Sequence, residues 1–249
     1  MPPAKLSVNI NKYALLRNSR GAGRPDLLDA IDLCLEAGAH GITVHPRLDQ
    51  RHIRFEDVPA IAAHLRSRWP GVEYNVECED DADLIKMVQE VRPDQCTLVP
   101  VTPGEVTSDH GWSLPEQAER LQPSIDRLHE TGIRVSLFAD PVPRDMPRFA
   151  EVGADRIEIY TGPYAWAWST AEAAAQTNLV RATAEAATAA GLGVNAGHDL
   201  DRHNLQGIAG LPELQEVSIG HAHICRALLV GTNASIRELL AALGWGITA

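Results

Sequence analysis

The sequence predicts an α/β fold, a (β/α)8 TIM barrel with extra short helices, with residues 1–249 forming one domain. Three observations lead there. Apolar strand-like runs alternate with helical runs eight times, without a linker, low-complexity tract or composition break. The 249 residues match the length of about 250 that one such barrel needs. Helices close on near-repeats, Glu36-Ala37-Gly38-Ala39-His40-Gly41-Ile42, Glu151-Val152-Gly153-Ala154-Asp155-Arg156-Ile157 and Ala189-Ala190-Gly191-Leu192-Gly193-Val194. Glycine after a helix and then an apolar strand is the expected αβ turn. A doubly wound open sheet is the alternative, weakened by the lack of a G-x-G-x-x-G turn after the first strand.

In chain order, Leu6–Asn11 is strand-like, and Pro25-Asp26 opens a helix carrying Leu27, Leu28, Ile31 and Leu35. Gly41–His45 is the second strand and Phe55–Trp69 its helix, closed by Pro70-Gly71. Val72–Glu77 is the third strand, with Asp81–Val91 as helix and Arg92-Pro93 as stop. Gln95–Pro100 is the fourth, followed by the long polar loop Val101–Trp112 and a helix from Pro115 to Glu130. Ile133–Ala139 and the helix Pro143–Val152 make the fifth unit. Arg156–Thr161 is the sixth strand, the segment Gly162–Ser169 a second loop, and Ala171–Ala190 an alanine-rich helix. Gly193–Ala196 is the seventh strand, with a short helical piece at Arg202–Ile208. Glu216–Ile219 is the eighth, followed by helical segments over Ala222–Leu229 and Ala234–Leu243.

Composition excludes several classes. Hydrophobic content of 45% and charged content of 22% are those of a globular protein. No apolar run approaches the roughly 18 residues of a membrane span. The N-terminus has no signal-peptide core, so a cytoplasmic location is expected. Cys34, Cys78, Cys96 and Cys225 are scattered without a Cys-x-x-Cys pair, which argues against a zinc site or disulfide framework. A net charge of −11 disfavours nucleic acid as partner. The bases are three lysines and nineteen arginines, and arginine grips carboxylate or phosphate in two-pronged fashion.

In a barrel the carboxyl ends of the strands converge on one mouth. Those ends here carry Asn9, Asn11 and Lys12; His45 and Arg47; Glu73, Asn75 and Glu77; Thr102 or Thr107; Asp140; Glu158, Tyr160 and Thr161; Asn195, His198 and Asp199; Gly220 and His221. A lone histidine near a strand end is more often structural than catalytic. Three on different strands, with Glu73 and Glu158 inside strands, shift the balance to acid–base catalysis. Metal ligation by His45, Glu73 and His198 is disfavoured, because no H-x-H or H-x-x-E-H spacing supports it. Arg20 and Arg47 suggest two anionic groups. Gly197-His198-Asp199 and Gly220-His221-Ala222 precede helical sequence and offer N–H groups suited to phosphate.

Several stretches together resemble the pyridoxine 5′-phosphate synthase family, over nearly the whole chain. They are Val8-Asn9-Ile10-Asn11-Lys12, Leu16-Arg17-Asn18-Ser19-Arg20-Gly21, Gly41-Ile42-Thr43-Val44-His45-Pro46-Arg47, Arg51-His52-Ile53, Leu98-Val99-Pro100, Glu105-Val106-Thr107, Val194-Asn195-Ala196-Gly197-His198 and Ser218-Ile219-Gly220-His221-Ala222. The resemblance implies condensation of 3-amino-2-oxopropyl phosphate with 1-deoxy-D-xylulose 5-phosphate, without organic cofactor or metal. It implies His45 and Glu73 as proton acceptors, His198 as proton donor and Glu158 as the carboxylate that stabilises cationic character. It assigns Asn9, Arg20, Asp199, Gly220 and His221 to the aminoketone phosphate. Asn11, Lys12, Arg47, His52 and Thr107 fall to the deoxyxylulose phosphate. It also implies a homooctamer, with Arg20 able to complete a neighbour's site, and a closing loop at Val101–Trp112. Asn11-Lys12 stands where many members carry Asp-His, and Asp199 where glycine is common. The spacing around Glu77–Asp83 is a few residues longer than in some members, so Glu73 is placed by its strand and Glu77 is the fallback. Two readings compete: a Lys12 Schiff-base aldolase, and a non-catalytic barrel that binds phosphorylated ligands.

Overall fold

The computed structural model describes residues 2–246, apart from 103 and 106; Val106 of the Glu105-Val106-Thr107 motif therefore lies outside the described residues. Eight parallel strands close a barrel in sequence order, the last pairing with the first. They are β1 (Lys5–Asn9), β2 (Gly41–Val44), β3 (Glu73–Cys78), β4 (Gln95–Leu98), β5 (Arg134–Ala139), β6 (Arg156–Tyr160), β7 (Gly193–Gly197) and β8 (Leu214–Ile219). The helices are α1 (Asn11–Asn18), α2 (Leu27–Glu36), α3 (Asp57–Arg68), α4 (Ala82–Val91), α5 (Leu114–Glu130), α6 (Met146–Glu151), α7 (Gly162–Ala167), α8 (Ala173–Ala189), α9 (His221–Val230) and α10 (Thr232–Leu243). Among the described residues no helix is long and apolar enough to cross a membrane.

Two of these helices differ from expectation. The first strand stops at Asn9, whose Oδ1 accepts from the Asn11 N–H at 3.0 Å and turns the chain into α1. That helix is hard to see in sequence because Leu15 and Leu16 are exposed while Tyr13 and Ala14 are buried, so it has no apolar stripe. Likewise α7 occupies six residues of the stretch expected to be loop.

Alternation along the strands divides the interior in two. Leu6, Val8, Ile42, Val44, Tyr74, Val76, Leu137, Ile157, Ile159, Val194 and Val217 face the helices and form the main core. The opposite faces point into the barrel and are polar. At mid-height Ser7 Oγ lies 2.7 Å from Thr43 Oγ1, and Thr97 donates to Asn75 Oδ1 at 3.0 Å. Nearer the amino ends, Arg134 donates to Gln95 Oε1 at 3.0 Å and Arg156 to Asn195 Oδ1 at 3.1 Å. Barrel interiors are usually filled by branched apolar side chains; this one is a hydrogen-bonded stack rising to a polar mouth.

Glu216 at the base of β8 is buried, and burial, with the Glu73 charge beside it, pushes its carboxyl up to about 8. Unfolded, the group ionises near 4.5. Between those values the unfolded chain has released a proton that the folded chain keeps, so this group's stabilising contribution is lost as pH rises. Glu216→Gln should therefore gain Tm relative to wild type on going from pH 5 to pH 8.5, as thermal melts at the two pH values would show. An unchanged difference would contradict a protonated Glu216.

Candidate active site

The ends of β1, β2 and β3, with Glu158 on β6 and His198 just past β7, build the catalytic cluster. Asn9 at the end of β1 donates through Nδ2 to Glu77 Oε2 at 3.4 Å. Asn11 Oδ1 accepts the backbone N–H of His45 at 2.9 Å, which ties the first turn of α1 to the residue just past β2. The His45 Nδ1 then lies 3.5 Å from Glu77 Oε2. Its Nε2 is buried and has no hydrogen-bond partner among the described residues. A buried ring nitrogen without a partner is costly in a resting protein, and this one is placed to meet a polar group of a substrate.

Burial sets the proton inventory. It lowers the His45 pKa well below its ordinary value, helped by the charges of His52 and Arg47, so the ring is neutral. It pushes the Glu77 carboxyl up to about 8. Glu158, 2% exposed on β6, is raised well above the usual range by burial and then by Glu77. The cluster thus holds protonated carboxyls beside neutral imidazoles at neutral pH, and the carboxyls are the inverted members. Burial also holds His198 at about 4, against the opposing charges of Asp199 and Asp109.

The His198 ring packs at 5.0 Å from Phe138 and 5.5 Å from Tyr160. Its backbone has φ of 80°, and Asp199 follows at 57°, both in the left-handed region that L residues seldom occupy. Neighbours hold this turn. Thr161 Oγ1 donates to the Gly197 and His198 carbonyls at 2.5 and 2.7 Å. Trp166 Nε1 donates to the Asp199 carboxylate at 2.9 Å.

A second cluster gathers cations. Arg47, 5% exposed, donates to Glu105 Oε1 at 3.2 Å, and Arg51 donates to the Glu105 carbonyl at 3.0 Å. The other Glu105 oxygen is buried without a partner among the described residues. The Nδ1 of His52 accepts from the Ile53 N–H at 2.9 Å, which puts its proton on Nε2, and burial and then Lys12 lower its pKa to about 4. Its segment is anchored by α1: Arg17 pairs with Asp57 at 2.6 and 2.9 Å and donates to the His52 carbonyl, as does Asn18 at 2.7 Å.

One expected residue is misplaced. Glu73 opens β3 rather than closing it, so it sits at the amino end of the barrel, ion-paired to Arg134 and lying 4.0 Å from Arg156. Glu77, four residues on along the same inward face, reaches the mouth instead. Arg20 and Thr107 are exposed, and among the described residues neither makes a hydrogen bond or ion pair with the cluster. Gly220 caps α9 and leans on β1, where an added Cβ would meet Asn9 O at 2.8 Å. His221 is exposed at the first turn of α9. Sequence reasoning missed Glu105 as the partner of Arg47 and Phe138 as the wall against His198. Their signals are tertiary, although Glu105 lies in a quoted motif.

Residues 6–244 match the family described as pyridoxal phosphate biosynthesis protein PdxJ. A pyridoxine 5′-phosphate synthase of Albidiferax ferrireducens is 48% identical over 248 residues, covering 97% of this chain and 98% of the relative. Another, from Xanthomonas axonopodis pv. citri, is 48% identical over 241 residues, covering 94% of each chain. A solved tryptophan synthase a2b2 structure from Pyrococcus furiosus shares the fold, with a TM-score of 0.62 at 11% identity over 96% of this chain and 97% of that one.

Proposed function

The chain belongs to the PdxJ family of pyridoxal phosphate biosynthesis proteins, and from that membership and the chemistry of its mouth we infer a pyridoxine 5′-phosphate synthase. It joins 3-amino-2-oxopropyl phosphate to 1-deoxy-D-xylulose 5-phosphate and releases phosphate and water. The observation that carries the site assignment is the pair of proton-exchanging groups, His45 with its free Nε2 and Glu77 raised to about 8.

The reaction needs an amine to attack a ketone, water to leave, phosphate to be eliminated and a carbon–carbon bond to close the ring. Each step moves a proton at a different atom, and Glu77, which ionises near 8, exchanges protons in both directions at working pH. His45 takes a proton through Nε2, and Glu77 replaces Glu73 as the second acceptor. Glu158 stabilises developing positive charge once ionised. His198 is the donor; the negative charge of two bound phosphates raises its pKa toward neutrality. Lys12, Arg47 and His52, with Asn11 and Thr107, hold the deoxyxylulose phosphate. The α9 N-terminus at Gly220 and His221, with Asn9 and the backbone N–H of Asp199, holds the aminoketone phosphate. Holding both phosphates brings the reacting ends together.

Arg47→Lys keeps the charge but loses the fork. It should raise KM for 1-deoxy-D-xylulose 5-phosphate by about tenfold or more, with a smaller change in kcat. Steady-state kinetics with that substrate varied would show it; an unchanged KM would remove Arg47 from the grip.

Self-association into a homooctamer is part of the same proposal. Leu228 and Leu229 on α9 are 73% and 79% exposed, and Leu15 and Leu16 of α1 are exposed as well, apolar side chains that a second copy would cover. A copy docked nearby is also what exposed Arg20 needs to reach a mouth. The free thiols fit a cytoplasmic, reducing location. The function is tested by supplying both phosphates to the purified chain. Pyridoxine 5′-phosphate should form only when both are present, and its absence would refute the function.

A further inference from the structure

A buried polar chain that the proposed reaction does not use joins the first turns of α1 and α9. His223, 1% exposed, places Nε2 3.1 Å from Tyr13 Oη and Nδ1 2.9 Å from Ser235 Oγ. Ser235 donates to the His223 carbonyl at 3.0 Å, and Tyr13 Oη lies 2.9 Å from Thr232 Oγ1.

The printed direction of one bond, Ser235 to the His223 carbonyl, orients the rest of the chain when the Ser235 proton is spent there. The single Ser235 proton goes to the His223 carbonyl, so its oxygen accepts from Nδ1–H. Burial holds the His223 pKa down at about 4, so the ring is neutral and Nε2 carries a lone pair. That lone pair accepts the Tyr13 O–H, and the Tyr13 oxygen in turn accepts from Thr232. Each donor then has an acceptor, and Cys34 Sγ, 3.9 Å from the same Nε2, is the ring's remaining polar neighbour.

Its position is informative. Tyr13 lies one residue past Lys12 and two past Asn11; His223 lies two past His221 and three past Gly220. Strands β1 and β8, which lead into these helices, are paired, and Gly220 already abuts Asn9 O. The Tyr13–His223 bond adds a second point of contact, one turn deeper. Two points fix the angle between the helix starts as well as their separation. Apolar side chains would fill the same space without desolvating a ring and its hydroxyl partners, so what the polar chain adds is direction.

We propose that the Tyr13–His223 hydrogen bond is a positioning brace that fixes the separation of the α1 and α9 N-termini, and so of the two substrate phosphates held there. The brace rests on the two phosphate grips assigned above. It acts on the joint geometry of two bound substrates and leaves each grip intact.

The test is steady-state kinetics with both substrates, with Tm in parallel, on Tyr13→Phe, His223→Leu, the double variant and His223→Gln. Tyr13→Phe and His223→Leu should each lower kcat about tenfold or more while either KM moves less than about twofold, because misplacement is felt in the joined state. The double variant should be no worse than the poorer single one. His223→Gln, whose amide oxygen can accept the Tyr13 proton, should recover most of kcat. A folded Tyr13→Phe enzyme with wild-type kcat, additive losses, or a loss confined to Tm would overturn the brace. If His223→Leu fails to fold, Tyr13→Phe, which removes one oxygen, decides alone. Wild-type turnover in the same assay separates the two levels: an inactive wild type refutes grips and brace together, while an active wild type with an unaffected Tyr13→Phe refutes only the brace.

Discussion

Glu77→Gln should lower kcat by about 10²- to 10⁴-fold, the range of a lost general acid–base group, while Glu73→Gln should leave kcat within about threefold of wild type. The two glutamates share one strand face and differ only in height. Glu77 faces His45 at the mouth, and Glu73 faces Arg134 and Arg156 at the base. Replacing Glu73 takes a carboxylate from Arg134 and Arg156, which keep Gln95 and Asn195, and should cost about 1 kcal/mol or less of stability, because the pair is partly open to solvent. The pH dependence follows from the same group. A base must be ionised to accept a proton, and Glu77 ionises near 8. The kcat/KM of wild type should therefore climb as pH rises toward that value, and Glu77→Gln should lose the climb. Folding responds in the opposite sense: Glu77 keeps its proton in the folded chain up to about 8, so its stabilising contribution falls over the interval in which activity rises.

Gly197→Ala should lower kcat by about 100-fold and destabilise the fold by about 1–3 kcal/mol. A Cβ at this position would overlap Glu158 Oε1, with Oε1's carboxyl carbon next at 3.0 Å. The backbone cannot retreat, because the Gly197 carbonyl is held by Thr161 through N–H at 2.9 Å and Oγ1 at 2.5 Å. The Glu158 carboxyl must move instead, and it is the group assigned to meet developing positive charge. The methyl group and Glu158→Gln act on the same function, so their combination should be far less than additive in kcat. Additive losses would mean that Gly197 serves only the packing of β7.

The eight strands were legible because their helix-facing sides are continuously apolar, Leu6 and Val8, Ile42 and Val44, Ile157 and Ile159. So were His45 and His198, polar residues at the abrupt ends of such runs. Alternation of period two, however, identifies a face and not a height. Glu73, Asn75 and Glu77 all point inward, and only strand direction separates base from mouth. Alternation alone does not choose between the two glutamates, and strand direction puts the later one at the mouth. Helix α1 escaped because its leucines face solvent. The Tyr13–His223 bond joins residues 210 positions apart, and no local pattern encodes it.

The central claim is that one mouth, with Glu77 as its raised carboxyl, both eliminates phosphate and closes the ring. A single turnover with both substrates, quantifying inorganic phosphate and pyridoxine 5′-phosphate together, tests it directly. The expected result is equal amounts of the two from wild type and the loss of both in Glu77→Gln. Phosphate released without ring product, or an undiminished yield from Glu77→Gln, would contradict it.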